Sequence, residues 1–172
     1  SLVRWNSPAV KAAAAAISMP DLFNYWLTGE IGWDFTHATT TQFFNPRAGN
    51  WDFETLDALG VPLGWFPRIL QPGDRIGDYH GLPVLVTASH DTGSAVAAIP
   101  ATDEHFAYIS SGTWSLIGLE VTAPIITDAS FEANVTNEGG PAGTFRYLKN
   151  VMGLWLAQQS RAAWRAEGRE YS

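Results

Sequence analysis

The stretch LVTASHDTGSAVAAIP, residues 85–100, constrains the fold of this chain more than any other feature of its sequence. Residues 83–89 form an apolar, β-branched run without polar alternation, which predicts a strand buried on both faces. The small residues that follow predict a helix over residues 91–99, closed by Pro100. A strand followed at once by a helix indicates an α/β fold, with the polar pair His90 and Asp91 at the joint.

Asp91 has two interpretations that its position alone does not separate. Side chains at the carboxyl end of a strand in an α/β sheet commonly meet the ligand, so this carboxylate could accept a proton from a substrate hydroxyl. Alternatively, Asp91 only caps the helix, which contributes about 1 kcal/mol. The four histidines of the chain are not spaced as pairs of metal ligands. We therefore expect His90 to hydrogen bond a substrate or to pack, and we predict no metal ligands in this chain.

A second candidate site lies in YISSGTWSLIGLE, residues 108–120. Strands are predicted over residues 106–110 and 113–120, joined by a tight turn at Ser111 and Gly112. The hydroxyls and free backbone N–H groups of such a turn can cradle an anion. Because any hairpin can carry Ser-Gly at its turn, this signal is weak when taken alone.

The third candidate segment is TNEGGPAGTFRYLKNVMGLWLAQQ, residues 136–159. A helix is predicted over residues 150–166, and its period places Asn150 and Gln158 a little over two turns apart on roughly the same side. Both amides could then face a ligand. Alternatively, the apolar residues of this helix form its buried stripe and the amides are solvated.

The remaining pattern predicts short elements joined by loops. Helices are expected over residues 7–17, 21–27 and 52–59, a strand over residues 131–136, and loops over residues 62–78 and 137–143. The polar stretch at residues 100–105 is the best candidate for a boundary between two domains.

Composition excludes several classes of function. A formal charge of −7 disfavours a protein that tracks nucleic-acid backbone, which needs a clustered basic surface. The absence of cysteine excludes disulfides and thiolate metal sites and is compatible with a reducing cytosol. The longest apolar stretch, residues 10–17, is far shorter than the roughly 20 residues of a membrane span, and no signal-peptide pattern precedes it. We expect a cytoplasmic protein without nucleic-acid or membrane partners.

Taken together, these segments resemble the FGGY family of carbohydrate kinases. Five stretches carry the resemblance in family order: MPDLFNYWLTGE (19–30), TTTQFFNPRAGNWDFETLDALGVP (39–62), SHDTGSAVAAIP (89–100), YISSGTWSLIGLE (108–120), and TNEGG with LKNVMGLW (136–140 and 148–155). Each stretch alone is a weak signal, whereas five in order over nearly the whole chain are specific.

The resemblance implies the actin-like ATPase (ribonuclease H-like) fold, in which two α/β domains flank a cleft. Residues 1–100 would be the C-terminal part of the family's N-terminal, sugar-binding domain. Residues 101–172 would be the start of its C-terminal, nucleotide-binding domain. The family's phosphate-binding hairpin and adenine site have no counterpart in this sequence. We therefore expect a central piece of a longer protein, without turnover by itself.

The resemblance also implies an activity, the ATP-dependent and Mg²⁺-requiring phosphorylation of a ketose hydroxyl. The segments SHDT and SSGTWSLIG are most similar to family members that act on the 1-hydroxyl of L-rhamnulose. Because the sequence contains only part of a sugar pocket, L-fuculose, L-xylulose and other ketoses remain open as acceptors.

Individual residues match the family's functional positions. Asp91 matches the general base for the sugar hydroxyl, and His90 and Thr92 match residues that touch the sugar. The other matches lie on the ATP side: Gly112 and Thr113 in the turn that contacts the phosphates, and Asn150 and Gln158 in the nucleotide pocket.

Two other classes of function are alternatives. Eight tryptophans and five tyrosines could stack on sugar rings, as in a non-catalytic sugar-binding module, although aromatic residues more often fill a core. A serine hydrolase would use Ser111, His90 and Asp91. However, adjacent side chains point in different directions, and the G-x-S-x-G motif is absent.

Overall fold

The computed structural model describes residue 5 and residues 7–171. Its helices are α1 (Pro8–Ala12), α2 (Met19–Thr28), α3 (Phe35–Ala38), α4 (Phe53–Ala58), α5 (Asp91–Ala97), α6 (Asp128–Glu132) and α7 (Trp155–Ala166). Its strands are β1 (Trp33–Asp34), β2 (Phe44–Asn45), β3 (Asn50–Trp51), β4 (Ile69–Leu70), β5 (Arg75–Tyr79), β6 (Leu82–Leu85), β7 (Ala107–Ser111), β8 (Trp114–Val121), β9 (Thr136–Gly139) and β10 (Phe145–Met152). Single 3₁₀ turns cover Leu63–Trp65 and Pro141–Gly143. None of the helices in this described part combines the length and the hydropathy that a membrane span requires.

The first half of the chain, up to residue 100, packs around a pair of tryptophans. Trp33 and Trp51 meet edge to face with ring centroids 5.2 Å apart and are buried together with Leu56. Trp33 Nε1 donates to Ala16 O at 2.5 Å, and Trp51 Nε1 donates to Pro67 O at 2.7 Å. Because the rings bury a large apolar area without leaving a donor unpaired, they anchor β1 beside its parallel partner β4.

A four-stranded antiparallel sheet, in the order β7-β8-β10-β9, forms the second half. The predicted hairpin is confirmed as β7 and β8, and β10 pairs along the whole of β8 and with all of β9. Side chains alternate between the two faces of a strand, so Tyr108, Ser110, Arg146, Leu148 and Asn150 share one face. Helix α5 packs on this sheet at β7 and α3 packs on it at β9, and α6 contacts β10 through the hydrogen bond between Ser130 Oγ and Tyr147 OH at 2.8 Å.

Helix α3 joins the two halves. Thr39, which follows this helix, accepts a hydrogen bond at its Oγ1 from Gly139 N at 2.7 Å. Phe35 packs edge to face on Phe145 with ring centroids 5.5 Å apart. A Cβ on Gly139 would lie 2.8 Å from the Phe35 ring, so glycine is what permits this approach of β9. The contact brings the sheet alongside the joint that begins α5.

The prediction of a strand over residues 83–89 that is buried on both faces is wrong. Strand β6 ends at Leu85 and pairs antiparallel with β5, and its leucines are exposed. The turn between the two strands has positive φ at both His80 (50°) and Gly81 (82°). This backbone favours a local hairpin over a distant parallel partner. Val86 then leaves the strand and is buried in a small core behind the hairpin.

The helix predicted over residues 150–166 begins only at Trp155. Residues Phe145–Met152 form β10 instead, because pairing with β8 and β9 satisfies their backbone hydrogen-bonding groups. Asn150 therefore lies on a strand and Gln158 on a helix. The prediction that these two amides share one helical face is wrong.

Smaller differences concern bounds and caps. The strand predicted over residues 131–136 is replaced by α6 and the start of β9, and the loops predicted over residues 62–78 and 137–143 contain β4, β5 and part of β9. Helix α1 is shorter than predicted, and α2 begins at Met19 rather than at residue 21, with Ser18 as its N-cap. The helices predicted over residues 52–59 and 91–99 are confirmed as α4 and α5.

Candidate active site

An open cleft of about 470 Å³ lies between the start of α5 and the β7–β8 turn. Six of the seven residues predicted from the sequence line it, namely His90, Asp91, Thr92, Gly112, Thr113 and Asn150. The seventh, Gln158, is exposed on α7 and does not line this cleft. The structure therefore brings the carboxylate of Asp91 and the hydroxyl-rich turn at Thr113 to one space.

Asp91 is the first residue of α5, and its carboxylate faces solvent. Its side chain is 99% exposed, and Oδ1 accepts a hydrogen bond from Thr92 N at 2.7 Å. The N-cap position belongs to His90, which makes no side-chain capping bond. Among the described residues no donor reaches Asp91 Oδ2. One carboxylate oxygen therefore remains available to a hydroxyl in the cleft.

The loop that carries His90 and Asp91 is held from behind by the fully buried Asp34. Asp34 Oδ2 accepts hydrogen bonds from Ser89 N at 3.0 Å and Ser89 Oγ at 2.7 Å. Thr36 Oγ1 donates to the same oxygen and accepts from His90 N at 3.1 Å. Since a hydrogen bond to a charged group contributes about 1.5–3 kcal/mol, this network fixes the backbone beside Asp91.

Asp34 and a second buried carboxylate, Asp21, were missed as site residues in the sequence. Both oxygens of Asp21 accept from Asp34 N at 3.2 Å, and Ser18 Oγ donates to Oδ2 at 2.7 Å. Burial raises the pKa of Asp21 above its ordinary value. The sequence offers no local signal for Asp34, because β1, the two-residue strand that it ends, is defined by pairing with the distant strand β4.

A buried ion pair borders the cleft on the side of the sheet. Arg146 is fully buried, its Nε donates to Gly139 O at 3.0 Å, and its Nη2 lies 3.2 Å from Glu138 Oε2. Neither atom of that contact has a hydrogen-bond partner, so charge rather than an aligned hydrogen bond joins the pair. Burial raises the pKa of Glu138, and the guanidinium of Arg146 acts in the opposite direction. Neither residue was identified from the sequence, although the TNEGG segment contains Glu138.

The imidazole of His90 lies between this ion pair and Asp91. His90 Nε2 is 3.9 Å from Glu138 Oε2, and Nδ1 is 3.7 Å from Asp91 Oδ1. Burial and, after it, the charges of Arg146 and His37 together lower the pKa of His90 to about 4, while Asp91 acts in the opposite direction. His90 is therefore neutral at pH 7, with one nitrogen as a donor and the other as an acceptor.

The β7–β8 turn is fixed by the segment that leads into α7. Leu154 N donates to Gly112 O at 2.9 Å, and Trp155 N donates to Thr113 O at 3.2 Å. A Cβ on Gly153 would lie 2.6 Å from Gly112 O, so this close approach requires glycine. The hydroxyls of the turn are thereby held at the cleft, where such groups can bind an anion.

The cleft suits a phosphate group better than a metal ion. In the described part of the chain no group of three or more His, Asp or Glu side chains could hold a metal. Asp91 and Glu138 are the carboxylates that line the cleft, and Glu138 is already paired with Arg146. These residues do not by themselves form a Mg²⁺ site, whereas the turn at Gly112 offers hydroxyls to phosphate oxygens.

Comparison with known proteins identifies relatives over most of the sequence. Residues 1–81 match the FGGY family of carbohydrate kinases, N-terminal domain, and residues 107–172 match its C-terminal domain. The chain is 48% identical over 164 residues to a rhamnulokinase of Klebsiella pneumoniae, an alignment that covers 92% of this chain and 34% of that protein. The chain thus spans about a third of the length of the curated relatives it matches.

Solved structures show the same fold. The gluconate kinase from Lactobacillus acidophilus superposes with a TM-score of 0.77 at 22% identity, covering 93% of this chain and 34% of that one. A ligand-bound xylulose kinase from the same organism gives 0.71 at 23% identity, covering 87% and 32%. These likenesses confirm the predicted actin-like ATPase fold, of which the chain contains parts of two domains. The chain belongs to the FGGY family of carbohydrate kinases.

Proposed function

We propose that the protein containing this chain is an ATP-dependent kinase that phosphorylates the 1-hydroxyl of L-rhamnulose. The observation that carries the proposal is the shared cleft, which Asp91 and the turn at Thr113 both line. Support for the sugar comes from 48% identity to a protein named rhamnulokinase. L-fuculose and L-xylulose remain alternative acceptors, since the groups of the cleft are compatible with any ketose.

Phosphoryl transfer depends on positioning and charge stabilisation more than on covalent help from the protein. In the proposed step, Asp91 Oδ2 accepts the hydrogen bond of the attacking hydroxyl and orients its oxygen. Asp91 takes the proton as the new oxygen–phosphorus bond forms and the bond between the γ-phosphorus and ADP breaks. Neutral His90 and the hydroxyl of Thr92 bind neighbouring sugar oxygens.

On the nucleotide side, Gly112 and Thr113 hold the terminal phosphate in this proposal. In this proposal two further residues bind the nucleotide: Asn150, which lines the cleft, and Gln158, which lies on the exposed surface of α7. Mg²⁺, when bound, would neutralise phosphate charge, but the described residues do not provide a ligand set for it. We also propose a cytoplasmic location and a domain boundary between residues 100 and 101.

The test compares Asp91→Asn with Asp128→Asn in the full-length protein. Asp128 is the matched control, because it is also the first residue of a short helix, is exposed, and lies outside the cleft. Loss of a general base lowers turnover by roughly 100-fold or more. We expect that loss for Asp91→Asn in a coupled assay of ADP release with L-rhamnulose, and near-normal turnover for Asp128→Asn.

Two results would contradict the proposal. Turnover of Asp91→Asn within a few-fold of the unmodified protein would remove Asp91 as the base. Sugar binding that responds neither to ATP nor to Asp91→Asn would favour the non-catalytic sugar-binding module.

A further inference from the structure

We infer that Glu138 binds a hydroxyl of the acceptor sugar other than the one that is phosphorylated, and so selects among ketoses. The inference rests on the proposed kinase function and concerns the same site. Three observations support it. A second, polar cavity adjoins the cleft, a buried carboxylate lines both, and the sheet holds that carboxylate in a fixed position.

A cavity of about 320 Å³ adjoins the cleft. All six of its lining residues are polar: Thr40, Gln42, Asn134, Thr136, Glu138 and Asn150. Three of these, Thr40, Glu138 and Asn150, also line the cleft that contains Asp91. A ligand with one hydroxyl at Asp91 can therefore extend past this shared wall into a space built from hydrogen-bonding groups. A polyhydroxylated sugar is the chemical class that fits it.

Glu138 is the charged member of the shared wall, and its side chain is only 10% exposed. Its Oε2 is shielded from solvent, 3.2 Å from Arg146 Nη2 and 3.9 Å from His90 Nε2. Among the described residues no hydrogen bond reaches either carboxylate oxygen. Oε1 is the oxygen left to meet a ligand. A ligand hydroxyl that donates to Oε1 would form a hydrogen bond with a carboxylate that is largely removed from solvent, and such a bond to a charged group is stronger than one between neutral groups.

The β-sheet holds Glu138 in a fixed position. In the sheet Glu138 lies directly opposite Arg146, whose Nε is tied to Gly139 O at 3.0 Å. Asn150 lies four residues along the same strand as Arg146 and on the same face. Glu138 and Asn150 therefore present their polar ends to one side of the sheet at a fixed spacing. A carboxylate held at a fixed position discriminates between hydroxyl configurations better than a mobile one.

The experiment measures kcat/KM of the full-length protein for L-rhamnulose and for its 3-deoxy and 4-deoxy analogues, with Glu138→Gln and Glu120→Gln. Glu120 is the matched control, because it lies opposite Arg146 on the other neighbouring strand but lines neither cavity. A hydrogen bond to a buried charged group accounts for roughly a 10- to 100-fold change. We expect Glu138→Gln to lower kcat/KM by that factor for L-rhamnulose, with KM for ATP unchanged and Glu120→Gln near normal.

The deoxy analogues separate ligand binding from a structural role. If Glu138 binds the 3- or 4-hydroxyl, the analogue lacking that hydroxyl is a poor substrate of the unmodified protein, and Glu138→Gln lowers its kcat/KM no further. An equal loss for all three sugars, or no loss for any, would overturn the inference while leaving the kinase function intact.

Absence of turnover by the unmodified protein with every ketose tested would overturn the proposed function and this inference together. If Glu138→Gln does not fold, Glu138→Asp keeps the charge for Arg146, withdraws the carboxylate from the wall, and serves in the same comparison.

Discussion

Acidification should destabilise the fold through one side chain, His90. The pKa of this imidazole falls from an ordinary value of 6.5 to about 4, because the ring is buried and faces the charge of Arg146. One pKa unit corresponds to about 1.4 kcal/mol, so the full displacement amounts to roughly 3 kcal/mol. Since 22% of the side chain is exposed, solvent screening reduces this, and we expect about 2 kcal/mol to be measurable.

The direction in which pH changes the free energy of unfolding follows from proton binding. Between pH 6.5 and about 4 the unfolded chain binds a proton at His90 and the folded chain does not. The contribution of His90 to the free energy of unfolding is therefore complete above pH 6.5 and is lost as the pH falls through this window. Asp21 and Glu138, whose pKa values are raised by burial, act in the opposite direction, so the effect of His90 must be read as a difference.

The assay is histidine-selective NMR, and the sequence contains only four histidines. The resonance that disappears in His90→Gln is assigned to His90 and followed from pH 8 to pH 4. The free energies of unfolding of the unmodified protein and His90→Gln are compared over the same range. His105→Gln, on the exposed segment before β7, controls for the loss of an imidazole. A folded-state titration of His90 at about 6 or above, or a stability difference that does not change with pH, would refute the reasoning.

Two further predictions concern stability alone. Gly153→Ala would place a methyl group 2.6 Å from a backbone carbonyl of the hairpin turn, so we expect a loss of about 1–3 kcal/mol in denaturant unfolding. Gly64→Ala, where the added group meets nothing within 4 Å, should not show that loss. Leu148→Ala removes a fully buried side chain of β10 and should cost about 2–5 kcal/mol. The same truncation at Ile109, which is 67% exposed, should change the midpoint little, and equal effects at the two positions would contradict this account of the core.

Local patterns in the sequence were sufficient for the elements that flank the cleft. Helix α5 and the β7–β8 hairpin were predicted because their signals, small residues before Pro100 and a Ser-Gly turn, involve neighbours in the chain. The resemblance to the family then identified Asp91 and Thr113, which the structure places at one cleft. Neighbouring residues thus decided the helix and the hairpin, whereas the roles of Asp91 and Thr113 depended on all five stretches of the resemblance.

The wrong predictions concern parts of the structure that depend on contacts between residues far apart in the chain. The last residues of β10, 150–152, were predicted as the start of a helix because residues 150–166 follow a helical period. Arg146, earlier in β10, was assigned to no element. Arg146 is tolerated there because Glu138 pairs with it from the next strand. Likewise Asp34 and Ser89 are 55 residues apart in the chain, so their contact exists only once the fold does. Sequence rules thus failed where contacts between distant parts of the chain decide the structure.

The position of Asp91 is fixed from both halves of the chain. From the first half, Thr36 Oγ1 accepts the backbone N–H of His90, and from the second half Glu138 approaches the His90 ring. Because Glu138 and Thr113 belong to the same sheet and its turn, a movement of the sheet that changes the distance from Asp91 to Thr113 must also change the surroundings of His90. Withdrawal of the sheet would hydrate the imidazole and remove the charge of Arg146, and both changes raise the pKa of His90. The titration of His90 therefore reports on the cleft itself: a value that stays near 4 with and without ligand means that the geometry of the cleft exists before the ligand binds.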